Sequence, residues 1–182
     1  GKIYTGYTAF MDSILELRSF LVRMDNDLGV EKRRRIFFMD SFFGDINDMV
    51  FDSDSTFLIT GYRYYEALDT NFRFSFDAYI ARYDTAFNLL WERSIADTVP
   101  FYNQGYNPLD ITIDPQDGVL ISGETQVRDN FGGLKSRYSF AMRFRRSTGQ
   151  LLWRKHFFGP VESRNFLTTL RDSNSYHFLQ VQ

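Results

Sequence analysis

The chain contains no cysteine and only two histidines among its 182 residues. The lack of cysteine excludes a disulfide framework, a thiolate metal site and a cysteine nucleophile. His156 and His177 are not spaced as a metal-binding pair, and we expect both on strands, because histidine metal sites need several convergent ligands. No Gly-x-Ser-x-Gly nucleophile elbow is present in the sequence. We therefore expect no catalytic residues, no metal site and no cofactor.

Long apolar runs and an excess of one charge are also lacking. Arginine or aspartate interrupts every hydrophobic stretch, so no segment reaches the roughly 20 apolar residues that span a bilayer. The 21 basic and 23 acidic side chains give a net charge of −2, which provides no general attraction to nucleic acid. The only basic run, Lys32 to Arg35, suits an exposed or edge strand, or an acidic partner. We expect neither a membrane span nor a nucleic-acid partner.

Aromatic residues are abundant, whereas proline is scarce. The 20 Phe, 11 Tyr and 2 Trp, against 4 Pro, favour strands over linkers. Landmarks then recur along the chain: FLITG ends at Gly61, VLISG ends at Gly123, KIYTG ends at Gly6, and FLQVQ closes the chain at Gln182. Such recurrence predicts an internal repeat.

A second set of landmarks has nearly the same period. Arg23, Arg82 and Arg143 each follow an aromatic residue and two further residues, while Trp91 and Trp153 follow the later two arginines, with Arg33 at the aligned place in the first copy. Each landmark is typical of a strand bounded by turn residues. The complete copies predict strands a, b, c and d at 47–52, 56–62, 77–83 and 88–95, and again at 109–114, 119–124, 139–145 and 150–158. The stretch 10–17 has a helical pattern, and we expect a loop helix there.

Four short antiparallel strands in each repeat of about 60 residues are typical of a β-propeller blade. The sequences DAYIARYDTAFNLLW and SFAMRFRRSTGQLLW resemble the repeats of bacterial-type β-propellers. RRSTGQLLW is also similar, in part, to the docking element of quinoprotein propellers. The resemblance implies an all-β protein made of propeller blades, and propellers support many different functions.

The repeats predict four segments. They are a partial blade at 1–38 with strands b to d, complete blades at 46–95 and 108–158, and a partial blade at 165–182 with strands a and b. Propellers usually close with four to eight blades. Because the chain also begins at Gly1 without an initiator Met, we expect an incomplete propeller or a fragment of a larger one.

The longer connections fall at one end of the expected blades, at 7–18, 63–76 and 125–138 between strands b and c, and at 39–46 and 96–108 between d and a. Long loops on a rigid scaffold commonly bind partners, and aromatic residues and arginine favour interfaces. Packing between blades would explain the same residues. The candidate binding residues are Tyr62, Arg63, Tyr64, Tyr65, Phe72, Arg73, Phe101, Tyr102 and Tyr106.

Other recurring residues have a structural interpretation. We expect Arg23, Arg82 and Arg143 to bind a carbonyl or carboxylate of the neighbouring blade, with a ring of cations around a channel as the alternative. The aspartate-rich segments at 25–27, 52–54 and 114–118 suit hairpin turns, although they share residue types with calcium loops.

These observations favour a non-enzymatic propeller segment that serves as a structural or protein–protein interaction module through its long loops. Its partners would be other protein chains or the remainder of a larger propeller. The alternative is a propeller ligand binder or enzyme, quinoprotein-like or glycan-binding, that uses the same aromatic loops.

Overall fold

The computed structural model describes residues 1–11, 16–36, 43–66, 74–96, 103–114, 116–128, 134–158, 166–171 and 176–181. Within these ranges every regular element is a strand, which confirms the all-β prediction. The strands are β1 (Ile3–Met11), β2 (Glu16–Met24), β3 (Val30–Arg35), β4 (Phe43–Ser53), β5 (Thr56–Glu66), β6 (Phe74–Asp84), β7 (Leu89–Ile95), β8 (Asn103–Asp114), β9 (Gly118–Arg128), β10 (Leu134–Arg145), β11 (Leu151–Phe158), β12 (Phe166–Arg171) and β13 (Tyr176–Val181).

The helix expected at 10–17 is wrong for the residues that the structure describes there. Phe10 and Met11 end β1, Glu16 and Leu17 begin β2, and the two strands pair Phe10 with Leu17 and Met11 with Glu16. A helix of two turns is marginal without tertiary packing, whereas the hairpin continues a ladder of backbone hydrogen bonds. The apolar spacing of this stretch therefore belongs to paired strands.

The strands form antiparallel sheets. We call β1 to β3 the first unit, β4 to β7 the second unit, and β8 to β11 the third unit; β12 and β13 form a separate hairpin. The second and third units join at one parallel contact between β6 and β8, where Phe76 lies opposite Gly105. Within the described ranges, the sheets are not closed into a barrel.

Both faces of the second unit are buried. On β5, Phe57 and Ile59 join a cluster with Leu21 of the first unit, whereas Leu58 lies in a cluster with Ile111 of the third unit. Successive strand residues point to opposite faces. The continuous apolar run FLIT therefore reflects a central sheet packed between two others.

The third unit repeats part of this arrangement. Ile121 and Met142 pack against the second unit, while Leu120 and Ala141 point the other way and contact Trp153 and Phe157. The strand β12 packs beside β8 and β9. This order gives a stack of the first unit, the second unit, the third unit and the terminal hairpin.

The strands are longer than the sequence predicted, so several expected loops are shorter. β5 and β6 remain paired from Thr56 opposite Asp84 to Glu66 opposite Phe74, which reduces the connection expected at 63–76 to 67–73. Tyrosine and phenylalanine favour strands, and here they extend the ladder. Tyr62, Arg63, Tyr64 and Tyr65 therefore lie on β5, and Tyr106 lies on β8, rather than in loops.

Two of the recurring glycines allow a close approach of neighbouring strands. A Cβ atom at Gly61 would lie 1.8 Å from the carbonyl oxygen of Asp45, and one at Gly123 would lie 2.1 Å from that of Asn107. The pairing of β4 with β5 and of β8 with β9 shifts register near these points. Glycine is needed there because any side chain would meet backbone.

The first unit differs at this position. Gly61 lies opposite Tyr79, and the corresponding place opposite Phe20 is taken by Tyr7, while Gly6 lies one residue away, opposite Leu21. Within the described residues, β1 pairs with β2 alone. Among the described residues no bulged strand approaches Tyr7, whose side chain fits there, and the sequence alignment of Gly6 with Gly61 is wrong by one residue.

Candidate functional site

Tyr62 and Arg63, expected as loop binding residues, contact neighbouring strands. The Tyr62 hydroxyl donates to Asp45 Oδ2 at 3.4 Å, and its ring lies edge-on to Phe76 with centroids 5.3 Å apart. Burial, together with the charge and hydrogen bond of Asp45, raises the pKa of Tyr62 to about 12. Arg63 Nη2 lies 3.8 Å from Asp77 Oδ2. Both candidates therefore stabilise the contacts of β5 with its neighbouring strands β4 and β6.

Asp77 is a buried carboxyl group at the same end of the second unit. It is 6% exposed and accepts a hydrogen bond from the Ser94 hydroxyl at 2.9 Å. Burial raises the pKa of Asp77, although the Ser94 hydrogen bond and the Arg63 charge oppose the shift. The group is held by one hydrogen bond and one distant cation.

Tyr106 is the centre of a polar cluster between the second and third units. Its side chain is fully buried, and its ring contacts Phe140 edge-on at 4.9 Å. The Tyr106 hydroxyl lies 2.9 Å from His156 Nε2 and accepts a hydrogen bond from Arg154 Nη1 at 3.0 Å. Sequence spacing gave no signal for this contact, because Tyr106 and His156 are 50 residues apart.

The remaining loop candidates have side chains that lie outside the part of the chain that the structure describes. Tyr64 and Tyr65 lie on β5, but their side chains are outside the described residues, as are Phe72, Arg73, Phe101 and Tyr102. The candidates whose side chains the structure describes, Tyr62, Arg63 and Tyr106, all pack within the fold. The structure does not bring the predicted set together as one open binding surface among its described residues.

The recurring arginines bind acids of their own unit. Arg82 Nη2 lies 2.7 Å from Asp52 Oδ2, and Arg143 Nη2 lies 2.5 Å from Asp114 Oδ2. The side chains of Asp52 and Asp114 are 0% and 2% exposed, so the carboxylate of each ion pair is shielded from solvent. The acids belong to the preceding hairpin of the same sheet, and not to a neighbouring unit as expected.

Within the described residues of the first unit no such hairpin supplies an acid to Arg23, which contacts other partners. Its Nε lies 3.2 Å from Glu31 Oε2, and its Nη1 donates to the carbonyl oxygen of Thr85, in the second unit, at 3.2 Å. This contact does cross between units. Among the described residues no cluster of three metal-ligating side chains occurs, and Asp52 and Asp114 instead serve as arginine partners.

A pair of donors on the edge strand connects the first unit to the second and the second unit to the third. Trp91 Nε1 donates to the carbonyl oxygen of Arg146 at 3.0 Å, and Arg93 Nη2 donates to that of Thr148 at 2.8 Å. Both acceptors lie in the β10–β11 turn, where Gly149 has a φ of 69°. Its missing side chain leaves room for the Trp91 ring, which a Cβ would approach to 2.5 Å.

The first unit uses the same geometry toward the second. Lys32 Nζ donates to the carbonyl oxygen of Ala86 at 2.7 Å, and Arg34 donates to that of Phe87. Lys32 lies opposite Arg23, as Trp91 lies opposite Arg82, so Lys32 and not Arg33 takes the place of the tryptophan. We call Lys32 with Arg34, and Trp91 with Arg93, donor pairs.

Trp153 occupies the matching place on β11. It lies opposite Arg143, and Lys155 follows two residues later with its Nζ 5.7 Å from the Trp153 ring centroid. Trp91 is 9% exposed, whereas Trp153 has intermediate burial and Lys155 is exposed. The third unit thus carries the residue types of a donor pair on its outer side.

The most unusual surface lies on the side of the first unit that faces away from the second. Four large apolar side chains are exposed there: Ile3 at 41%, Tyr7 at 37%, Leu28 at 65% and Val30 at 63%. Leu28 also has a φ of 62°, a left-handed conformation that costs a non-glycine residue about 1–2 kcal/mol. We call these four residues the uncovered face, although Phe20 and Val22, which lie opposite Tyr7 and Thr5 on the same side, are buried.

An open groove of about 590 Å³ lies at the opposite end of the strands from Tyr62 and Tyr106. It is lined by Lys2, Tyr4, Phe51, Asp52, Ser53 and Asp54. Tyr4 and Phe51 contact edge-on at 5.1 Å, Lys2 pairs with Glu31, and Asp52 is bound by Arg82. The charged groups near its centre are therefore already paired within the fold.

No helix in the described part of the chain is long and apolar enough to cross a membrane. Neither a scan against models of known protein families nor a search of curated proteins finds a match to this chain.

Proposed function

We propose that this chain is a non-enzymatic structural and protein-interaction module, built from propeller-type sheet units, that binds another protein through its uncovered face and the adjoining loops. The observation that supports the proposal is the difference between neighbouring units. At the left-handed turn position the second unit buries Phe87 to 1% exposure, whereas the first unit leaves Leu28 65% exposed.

The energetics favour a partner at this surface. Burying a leucine or valine side chain fully contributes about 1.5–3 kcal/mol, and Leu28 and Val30 of the uncovered face are 65% and 63% exposed. Contiguous exposed apolar surface on a soluble protein commonly marks an interaction site. Among the described residues β1 pairs only with β2, and such a strand edge favours association with another strand.

The propeller resemblance supports the same function. The second and third units share strand order, an arginine–aspartate pair and a tryptophan opposite the arginine. In a propeller each sheet is covered by the next around the axis. A segment of such an array would use its open end to bind the remainder of a larger propeller or another chain.

A photo-crosslinking experiment tests the proposal. Val30 is replaced by p-benzoylphenylalanine in the full chain, and the control variant carries the same group at Asp54, an exposed turn residue. The expected result is a covalent adduct with protein at position 30 in the producing cells, and none at position 54. An adduct identifies contact at the uncovered face independently of which protein is bound.

The opposite result favours the ligand-binding or enzymatic alternative. If position 30 gives no protein adduct and a glycan or quinone cofactor raises the melting temperature, the interaction module is wrong. The same measurement with Asp54 substituted would then locate the ligand at the groove beside Phe51.

A further inference from the structure

The edge of β1 lies where the other two units hold an additional strand. β4 pairs with β5 and β8 pairs with β9, whereas β1 has β2 as its only strand partner among the described residues. The strands otherwise match, because Tyr4 of β1 lies opposite Arg23 as Leu58 of β5 lies opposite Arg82. A strand edge of this kind accepts the backbone of a further strand.

Phe51 marks the surface that a strand beside β1 would cover. It lies opposite Phe57 on β4 and faces the first unit, where its ring contacts Tyr4 edge-on at 5.1 Å. Phe51 is 43% exposed, whereas Ile113, at the matching place on β8, is partly buried against the core between the second and third units. The open groove of about 590 Å³ is bordered by Lys2 and Tyr4 on one side and by Phe51 on the other. Its apolar wall is therefore exposed where a first strand would pack.

Arg23 gives this edge a preference for an acidic strand. The recurring arginines of the second and third units bind the aspartate at the end of their first strand, in both cases through Nη2. Arg23 contacts Glu31 through Nε and the carbonyl oxygen of Thr85 through Nη1. Neither contact uses Nη2, so a carboxylate on an added strand can bind there as the aspartates do in the other units.

From these observations we infer that the β1 edge binds an extended strand of a partner protein, antiparallel to β1 and ending in an acid that reaches Arg23. The strands that hold this place in the other units define its chemistry. The segments 48–52 of β4 and 110–114 of β8 each begin and end with aspartate and carry apolar residues next to both acids. Backbone hydrogen bonds supply affinity in such strand addition, and side-chain positions supply specificity. This inference rests on the proposed function, since β1 carries Ile3 and Tyr7 of the uncovered face, and names the chemistry of the partner.

Fluorescence anisotropy of a labelled peptide with the full chain tests the inference. The peptide has the sequence of residues 45–54, DINDMVFDSD, and is expected to bind saturably. The same peptide with Asp52→Asn should bind about tenfold more weakly, and Arg23→Met in the protein should weaken binding of the original peptide equally. The control is Arg33→Met, because the Arg33 guanidinium lies 3.9 Å from the Phe20 ring centroid on the other face of the sheet. This variant should bind the peptide as the wild type does.

Disulfide trapping locates the bound peptide, because the chain has no cysteine of its own. Met49 lies opposite Ile59 in the β4–β5 pair, and Thr5 is the residue of β1 that matches Ile59. With a mild oxidant, the Thr5→Cys protein should therefore form a disulfide with a peptide that carries Met49→Cys. Val30→Cys, at an exposed position of β3, is the control and should form none with the peptide.

The absence of saturable binding overturns the inference, as does equal affinity of the wild-type chain for the two peptides. A disulfide-linked dimer of the Thr5→Cys protein in place of the peptide adduct would mean that a second copy occupies the edge, and it overturns the inference as well. The proposed function is tested separately. A protein adduct at Val30 without peptide binding would support the interaction module and reject the acidic strand, whereas peptide binding without that adduct would support the β1 edge and reject contact at Val30.

Discussion

At the scale of single residues, the left-handed turn positions show how packing selects side chains. Gly149 suits a positive φ without strain, whereas Leu28 and Phe87 adopt the same conformation at a cost. Phe87 offsets its cost by burial between two units. The sequence predicted the hairpin turn at 25–27, but residue type gave no sign of a positive φ at Leu28 or Phe87.

The buried carboxyl group of Asp77 leads us to expect that the stability of the folded protein depends on pH. Its pKa is raised above 3.8 by burial, so the folded protein holds this proton more tightly than the unfolded chain does. The stability that the protonated Asp77 carboxyl contributes to the folded protein is therefore fully present below pH 3.8. It is lost as the pH rises through the folded pKa of this group. Asp77→Asn should therefore gain melting temperature relative to wild type as the pH rises from 3.8 toward neutral.

Thermal unfolding followed by circular dichroism across this range measures the difference. The exposed Asp54→Asn variant is the control and should show no such pH-dependent gain. An Asp77→Asn variant that loses melting temperature relative to wild type as the pH rises would mean that the Arg63 charge outweighs burial.

At the scale of elements, the arginine–aspartate pair holds the β4–β5 hairpin to β6. Removing Arg82 leaves the fully buried Asp52 side chain without its cation, and breaking a buried ion pair in this way typically costs about 3 kcal/mol. Arg82→Met is therefore expected to lower the free energy of unfolding by about that amount. Urea unfolding at neutral pH measures it.

Two variants sharpen the comparison. Asp52→Asn in the Arg82→Met background should recover part of the loss, because it removes the unpaired charge. Arg145→Met, at an exposed position, should change the free energy of unfolding by less than about 1 kcal/mol. Equal losses at Arg82 and Arg145 would contradict the structural role of the pair.

The strand elements were largely predictable, but their ends and register were not. Apolar and aromatic runs around Leu58 and Leu120 identified strands, since two-sided burial requires continuous apolar residues. The alignment of Gly6 with Gly61 failed because the two glycines lie one pairing position apart in their units, and within the described residues only Gly61 has a bulged strand beside it. Tertiary partners, which a local pattern does not contain, decide such register.

The site was less predictable than the strands for a related reason. Aromatic residues near strand ends suggested a loop surface, yet Tyr62 and Tyr106 pack internally. The same side chains serve interfaces and cores, so residue type alone does not separate them. Leu28 gave no signal at all, because its exposure depends on which unit lies beside it.

At the scale of the whole molecule, the order of the sheets sets the order of local stability. The second unit is central and packs on both faces, whereas β3 is an edge strand beside the uncovered face. Local opening is cheapest where few apolar contacts are lost. In dilute solution, backbone amides of β5 and β6 should exchange most slowly, and those of β3 faster by about tenfold or more.

Hydrogen–deuterium exchange with mass spectrometry resolves these strands as separate peptides, and rates for the unfolded chain correct for sequence. Strong protection of β3 at the lowest concentration would contradict an open first unit. One-sided burial of the first unit therefore requires amide exchange rates that increase from the central strands β5 and β6 to β3.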